Sequence, residues 1–186
     1  MDLVEKIRVL NNHLKAKNFK RVIEGSSKIL KQIPRNDYLL NLTGMAYQGL
    51  SQHKNSIKYF KEALKYAPNN IAAMNNYANS LKAVGNLEAS EELYKNILKI
   101  NPGYINAYNN YANLKTLIND YDGAIDLYKK ALEILKENTN VPKASSLGIL
   151  FSLAVAYQSN NNIEDTRQTI KQIFSIEASH VGAHKL

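Results

Sequence analysis

Two stretches of this 186-residue sequence are the same five residues: Asn75-Asn76-Tyr77-Ala78-Asn79 and, 34 positions on, Asn109-Asn110-Tyr111-Ala112-Asn113. An asparagine amide donates and accepts hydrogen bonds at once, so a row of them can pair with a peptide backbone in either direction. Asparagine is also a poor helix-interior residue, roughly 0.5 kcal/mol worse than alanine. Yet Met74, Tyr77, Ala78 and Leu81 recur at spacings of three and four, the mark of a helix with one apolar face. Asparagines repeated on such a helix need a reason. Binding an extended peptide is one. A solvated face in an asparagine-rich chain, which also carries Asn160-Asn161-Asn162, is the other.

Other chemistry is sparse. There is no cysteine, which removes disulfides, thiolate metal sites and cysteine nucleophiles. His180 and His184 stand four apart and could bridge a metal on a helix, but no third ligand accompanies them. His13 and His53 stand alone and are expected at the surface. Asp120, Asp122 and Asp126 lie in or after a turn, where carboxylates favour helix N-termini. There is no glycine-rich phosphate loop, no G-x-S-x-G and no H-E-x-x-H. The sequon Asn41-Leu42-Thr43 falls within a helical pattern and reads as accidental. The chain is therefore expected to be non-catalytic, without metal or cofactor.

The charge is uneven. Lys and Arg number 24 against 16 Asp and Glu. Residues 1–36 carry 9 basic and 3 acidic residues, residues 37–70 carry 4 and 2, and the remainder is balanced. A basic end can meet acidic partners, anionic lipid or nucleic acid. Most of these cations (Lys17, Lys20, Arg21, Lys28, Lys31) fall on second helices and turns, where a solvated outer face accounts for them. No basic–aromatic interleaving suggests base stacking, which argues against nucleic acid. Asp2 and Glu5 sit where a signal peptide would be basic and apolar. The longest apolar stretch, Leu147 to Tyr157, is well short of the roughly 20 residues of a membrane span. These features fit a cytoplasmic chain.

The elements that must position the asparagines come from an internal repeat. Pro68 and Pro102 are 34 residues apart, and units starting at Asp37, Ile71 and Ile105 keep the same phase. Each unit reads as two helices. The first ends at a break such as Gly85-Asn86, and the second at a proline. A helix pair of this length cannot bury its apolar face alone, so neighbouring pairs must stack. A weaker upstream copy uses Ile7, Leu10, Leu14, Phe19 and Pro34, and its phase calls for a turn one residue shorter. A downstream copy opens at Leu150, Leu153, Ala154 and Tyr157, offset 42 rather than 34 residues. The extra residues fall around Asn138-Thr139-Asn140-Val141-Pro142, which predicts a loop with longer flanking helices or a bulge.

A 34-residue helical period resembles the tetratricopeptide repeat, TPR. Leu40, Gly44, Tyr47, Phe60, Ala63 and Pro68 match its marks, as do Met74, Ala78, Tyr94 and Pro102, and Tyr108, Ala112, Ala124, Tyr128 and Ala131. Thr43, Ser56 and Ser90 replace expected apolar or alanine residues, Ile97 replaces alanine, and no unit has tryptophan. The resemblance implies an all-α, right-handed TPR superhelix of five helix hairpins plus the start of a sixth. The array would run over residues 1–186, with repeats at about 3–36, 37–70, 71–104, 105–138 and 147–180, an insert at about 139–146 and a partial repeat at 181–186.

The resemblance also implies a concave groove lined by the first helices. Carried over, its positions are Asn41, Met45 and Gln48; then Asn75, Asn76, Asn79 and Lys82; then Asn109, Asn110, Asn113 and Thr116; and Phe151 and Val155. The expected function is non-catalytic binding of a protein or extended peptide, with apolar contact from Met45, Phe151 and Val155. Asn76 and Asn110 resemble the peptide-holding asparagines of the TPR half of O-GlcNAc transferase, whereas Leu42 and Ser152 depart from them. A carboxylate clamp would need several groove lysines, and Lys82 is alone. Two further readings follow. The layout is similar to the N-terminal halves of bacterial proteins that join TPRs to a sulfotransferase or O-GlcNAc-transferase-like domain. That would make this segment a substrate-recruiting arm, the opening part of a longer protein. An apolar C-terminal end would instead support self-association.

Overall fold

A computed structural model describes residues 2–137, 142–178 and 180–186. Among them lie ten α-helices and no strand. They are α1 (Leu3–Lys15), α2 (Phe19–Leu30), α3 (Asp37–Gly49), α4 (His53–Tyr66), α5 (Ile71–Ala83), α6 (Leu87–Ile100), α7 (Ile105–Leu117), α8 (Tyr121–Glu137), α9 (Leu147–Ser159) and α10 (Ile163–Ile176). The chain divides into two compact units, residues 1–100 with α1–α6 and residues 101–186 with α7–α10. The all-α hairpin fold expected from the repeat is what the chain adopts.

The turn inside each hairpin is built one way throughout. Lys17, Ser51, Gly85, Asn119 and Asn161 all have positive φ, between 58° and 82°. Each follows the end of a first helix. The next residue's N–H then reaches back five positions: Asn18 to His13 O (2.8 Å), Gln52 to Tyr47 O (2.9 Å), Asn86 to Leu81 O (3.0 Å), Asp120 to Lys115 O (2.9 Å) and Asn162 to Tyr157 O (2.9 Å). This left-handed residue with a long-range closing bond satisfies carbonyls that a helix end leaves orphaned. The shortened turn anticipated upstream is absent. The α1–α2 connection spans three residues, as the α3–α4 connection does, and it is α2 that ends early, at Leu30. Helix starts are capped by Asp2, Asn36, Asn70 and Asp120, whose side-chain oxygens accept backbone N–H groups at 2.8–3.1 Å.

In unit 1–100, α2 packs on α3 and α4 on α5 in addition to the pairing within hairpins. Leu10, Val22, Leu39, Leu42 and Ala46 form one core. Phe60 and Tyr94 are fully buried, as aromatic fillers beside small residues must be. A Cβ placed on Gly44 would come within 2.5 Å of the Phe60 ring, so the glycine is what lets α4 close on α3. The hydroxyl residues that break the repeat pattern are buried and bonded. Thr43 Oγ1 pairs with Ser26 Oγ at 2.7 Å between α2 and α3, and Ser56 Oγ with Ser80 Oγ at 2.9 Å between α4 and α5. Ser90 Oγ donates to Ala78 O at 2.8 Å within the third hairpin. Small size meets the packing demand, and the paired hydroxyls avoid the cost of an unsatisfied buried group.

In unit 101–186, Ala112, Ala124, Ile125, Tyr128, Ala131, Leu153 and Tyr157 form a common core. The expected lengthening before the fifth hairpin is seen in α8, which has 17 residues against 14 in α4, α6 and α10. Asn138–Val141 of the expected loop lie outside the described residues, and a 3-10 turn at Lys143–Ser146 leads into α9. At the other end, Ala183–Lys185 form a single 3-10 turn where an opening α-helical turn was anticipated. Ala183 is buried with Leu150, Ala154 and Ile173, and Leu186 packs beside them. These residues sit on the apolar face that the self-association reading would expose.

Candidate peptide-binding surface

In unit 1–100 the first helices α3 and α5 bring four of the sequence-derived residues together. Asn76 Nδ2 donates to Asn41 Oδ1 at 3.4 Å, and Asn41 Nδ2 contacts Met45 Sδ at 3.7 Å. Gln48 Nε2 donates to Asn76 O at 3.3 Å and to Ser80 Oγ at 3.2 Å. All four side chains are half-buried. The helix phase explains the meeting. Asn41 and Asn76 lie 35 residues apart, one repeat plus one residue, so adjacent helices present them side by side. Leu42, one residue on, is 3% exposed and belongs to the core.

The other asparagines divide by task. Asn79 Oδ1 accepts from the Tyr94 hydroxyl at 2.6 Å, and Asn113 Oδ1 from the Tyr128 hydroxyl at 2.7 Å. These bonds run from a first helix to the second helix of the same hairpin, so the carbonyl ends of Asn79 and Asn113 are committed inside the fold. Burial pushes the phenols of Tyr94 and Tyr128 up. Asn75 is buried at 7% exposure. Lys82 is half-buried, and desolvation lowers the pKa of its ammonium.

In unit 101–186, Asn109 and Asn110 are half-buried on α7, and Asn109 Oδ1 has no hydrogen-bond partner among the described residues. Thr116 Oγ1 is turned back onto Ala112 O at 3.1 Å. Val155 is half-buried on α9. Phe151 meets the His180 ring at a centroid distance of 5.5 Å. His184 meets Phe174 at 4.6 Å, so the two histidines lie against different aromatics rather than sharing a helix face for a metal. Among the described residues no group of three or more metal-ligating side chains occurs. His13 and His53 are half-buried rather than exposed, and His53 Nδ1 has no partner among the described residues.

Sequence reading missed Ser26, Ser80 and the tyrosine tethers. The tether did leave a signal, because Asn and Tyr stand 15 residues apart in both copies.

Helix hairpins with a common turn, a 34-residue phase through the first four and a buried aromatic filler in the second, third and fourth (Phe60, Tyr94 and Tyr128) define an α-α repeat protein. Tetratricopeptide-repeat family models match residues 38–70 and 69–137, more than half of the sequence, and the chain belongs to the tetratricopeptide repeat family. Repeats of this family form scaffolds that present extended surfaces to other proteins. No curated protein matches the sequence. Solved structures share the fold at low identity. MamA aligns with a TM-score of 0.77 and 18% identity over 96% of both chains. TTC0263, a thermophilic TPR protein of Thermus thermophilus, aligns at 0.75 and 14% over 97% of this chain and 94% of its own. YrrB, described as a TPR protein with an unusual peptide-binding site, aligns at 0.72 and 14% over 99% and 91%. No described helix is long and apolar enough to cross a membrane.

Proposed function

We propose that the first-helix surface of this chain binds an extended peptide segment of a partner protein, and that Asn41 and Asn76 are its central contacts. The observation that carries this reading is the Asn41–Asn76 amide pair at 3.4 Å across α3 and α5. A contact that long is weak and can be exchanged. An incoming backbone would replace it with a donor for Asn41 Oδ1 and an acceptor for Asn76 Nδ2. Gln48 fixes the Asn76 carbonyl and so holds the amide's helix in register. Met45 adds an adaptable apolar contact beside the pair. The peptide-binding site of the structurally similar YrrB gives the reading a precedent in the fold.

The test uses the 186-residue chain as bait beside an Asn41→Ala/Asn76→Ala variant, with captured proteins identified by mass. Partners lost from the variant at unchanged helix content support the reading. Equal capture by both chains overturns it.

A further inference from the structure

The first hairpin carries a second candidate surface, away from Asn41 and Asn76. A cleft of about 410 Å³ opens between α1 and α2. Its floor is apolar, made by Val9, Leu10 and Ile29. Its rim is cationic, with Lys6 on α1 facing Arg21 and Lys28 on α2, all exposed. Glu24 is the one acid of the lining and stands three residues after Arg21 and four before Lys28. Among the described residues, however, none of these four charges has an ion-pair partner. The rim cations are left available to something else.

The register of the repeat says what shape fits. Lys6, Val9, Leu10 and His13 stand 34 residues before Leu40, Thr43, Gly44 and Tyr47. On α3 that register is closed. Leu40, Thr43 and Gly44 are buried, with Thr43 bonded to Ser26 of α2 and Gly44 under Phe60 of α4. On α1 the same positions line an open cleft, with lysine in place of leucine and histidine in place of tyrosine. What lies on this register one hairpin further is a helix, α2. The charged replacements select the kind of helix.

We infer that the α1–α2 cleft docks an acidic amphipathic helix of a partner protein, its apolar stripe on Val9, Leu10 and Ile29 and its carboxylates against Lys6, Arg21 and Lys28. Nucleic acid would use the cations but not the apolar floor, and no Phe, Tyr or Trp side chain lines the cleft for base stacking. Apolar burial in a groove flanked by matched charge is the ordinary way an amphipathic helix is held. The surface is independent of the Asn41–Asn76 contact, so either can fail alone.

The experiment is fluorescence anisotropy on the full chain with a labelled peptide of about 15 residues, four helical turns, carrying leucine at helix spacing and glutamate on the flanks. Controls are the same peptide with lysine for glutamate, the acidic peptide with serine for leucine, poly-uridylate, and phosphatidylserine vesicles. Saturable binding of the first peptide is expected, weakened at least tenfold by Arg21→Glu/Lys28→Glu and also by Val9→Asn, with Asn41→Ala/Asn76→Ala binding like the parent. Circular dichroism checks that each variant is folded. The inference is overturned if the acidic amphipathic peptide fails to bind or binds the charge-reversed chain equally. It is also overturned if the leucine-free peptide, poly-uridylate or vesicles bind as well as it does.

Discussion

Asparagine does two jobs in this chain, and the partner atom decides which. Asn41 and Asn76 meet each other across neighbouring first helices, whereas Asn79 and Asn113 hold tyrosine hydroxyls at 2.6 and 2.7 Å. The tether makes a prediction about pH. Burial raises the Tyr94 phenol above its ordinary value. An unfolded chain ionises this tyrosine near pH ~10 while the folded chain keeps it neutral. Its contribution is therefore complete below about pH 10 and is lost as pH climbs beyond it. Urea unfolding from neutral to strongly alkaline pH should show stability falling at the alkaline end. Tyr94→Phe should reduce that fall while costing about 1 kcal/mol at neutral pH for the lost hydrogen bond. An unchanged alkaline slope in the variant would reject the assignment. Gly44 makes a second prediction. A methyl at 2.5 Å from the Phe60 ring must displace a side chain that has no exposed surface. Gly44→Ala should cost about 1–3 kcal/mol, and Gly44→Ala/Phe60→Leu should cost less than the two single changes added. Strict additivity in chemical denaturation would show that the ring moves away freely.

At the scale of the helix hairpin, the five turns share one geometry but not one residue. Lys17 and Ser51 occupy the left-handed position that Gly85 occupies in the third hairpin. That backbone costs a side chain about 1–2 kcal/mol where glycine pays little. Lys17→Gly and Ser51→Gly should each raise stability by up to about 1 kcal/mol, and Gly85→Ala should lower it by a similar amount. Calorimetry on the three variants reads the sign directly. The same turns show what the sequence could convey. Gly85-Asn86 is a legible stop, and the 34-residue phase placed the helix pairs. Lys17 and Ser51 carry no turn signature, because a tertiary demand, the closing bond back to the first helix, overrides their preference. Thr43, Ser56 and Ser90 looked like defects in the repeat for a related reason. A hydroxyl is judged by its partner, and Ser26 and Ser80 lie 17 and 24 residues away from theirs. The candidate groove was legible as a set of helix positions. The 35-residue spacing sets Asn41 beside Asn76, but whether an amide is left on the surface or held inside the fold, as Asn79 and Asn113 are by tyrosine hydroxyls, depends on its partner atom.

At the scale of the whole molecule, charge and candidate surfaces are concentrated together. Residues 71–100 carry 3 basic and 3 acidic residues, so the formal +8 of the chain resides wholly within unit 1–100. That unit also holds the Asn41–Asn76 pair, the α1–α2 cleft and three complete hairpins. Repeat arrays need about three units to bury a continuous core, and here Leu10, Val22, Leu39, Leu42 and Ala46 join the first two hairpins while Ser56 and Ser80 join the next. Residues 1–100 expressed alone should therefore fold into a helical domain with a cooperative thermal transition. The fragment should bind the acidic amphipathic peptide with an affinity within a few-fold of the full chain, and binding should weaken steeply with salt because the rim cations are solvent-exposed. Circular dichroism and salt-titrated anisotropy measure both. A fragment that folds but does not bind would place the acidic-helix site outside the first hairpin. A fragment that binds without salt dependence would assign the affinity to the apolar floor and remove Lys6, Arg21 and Lys28 from the recognition.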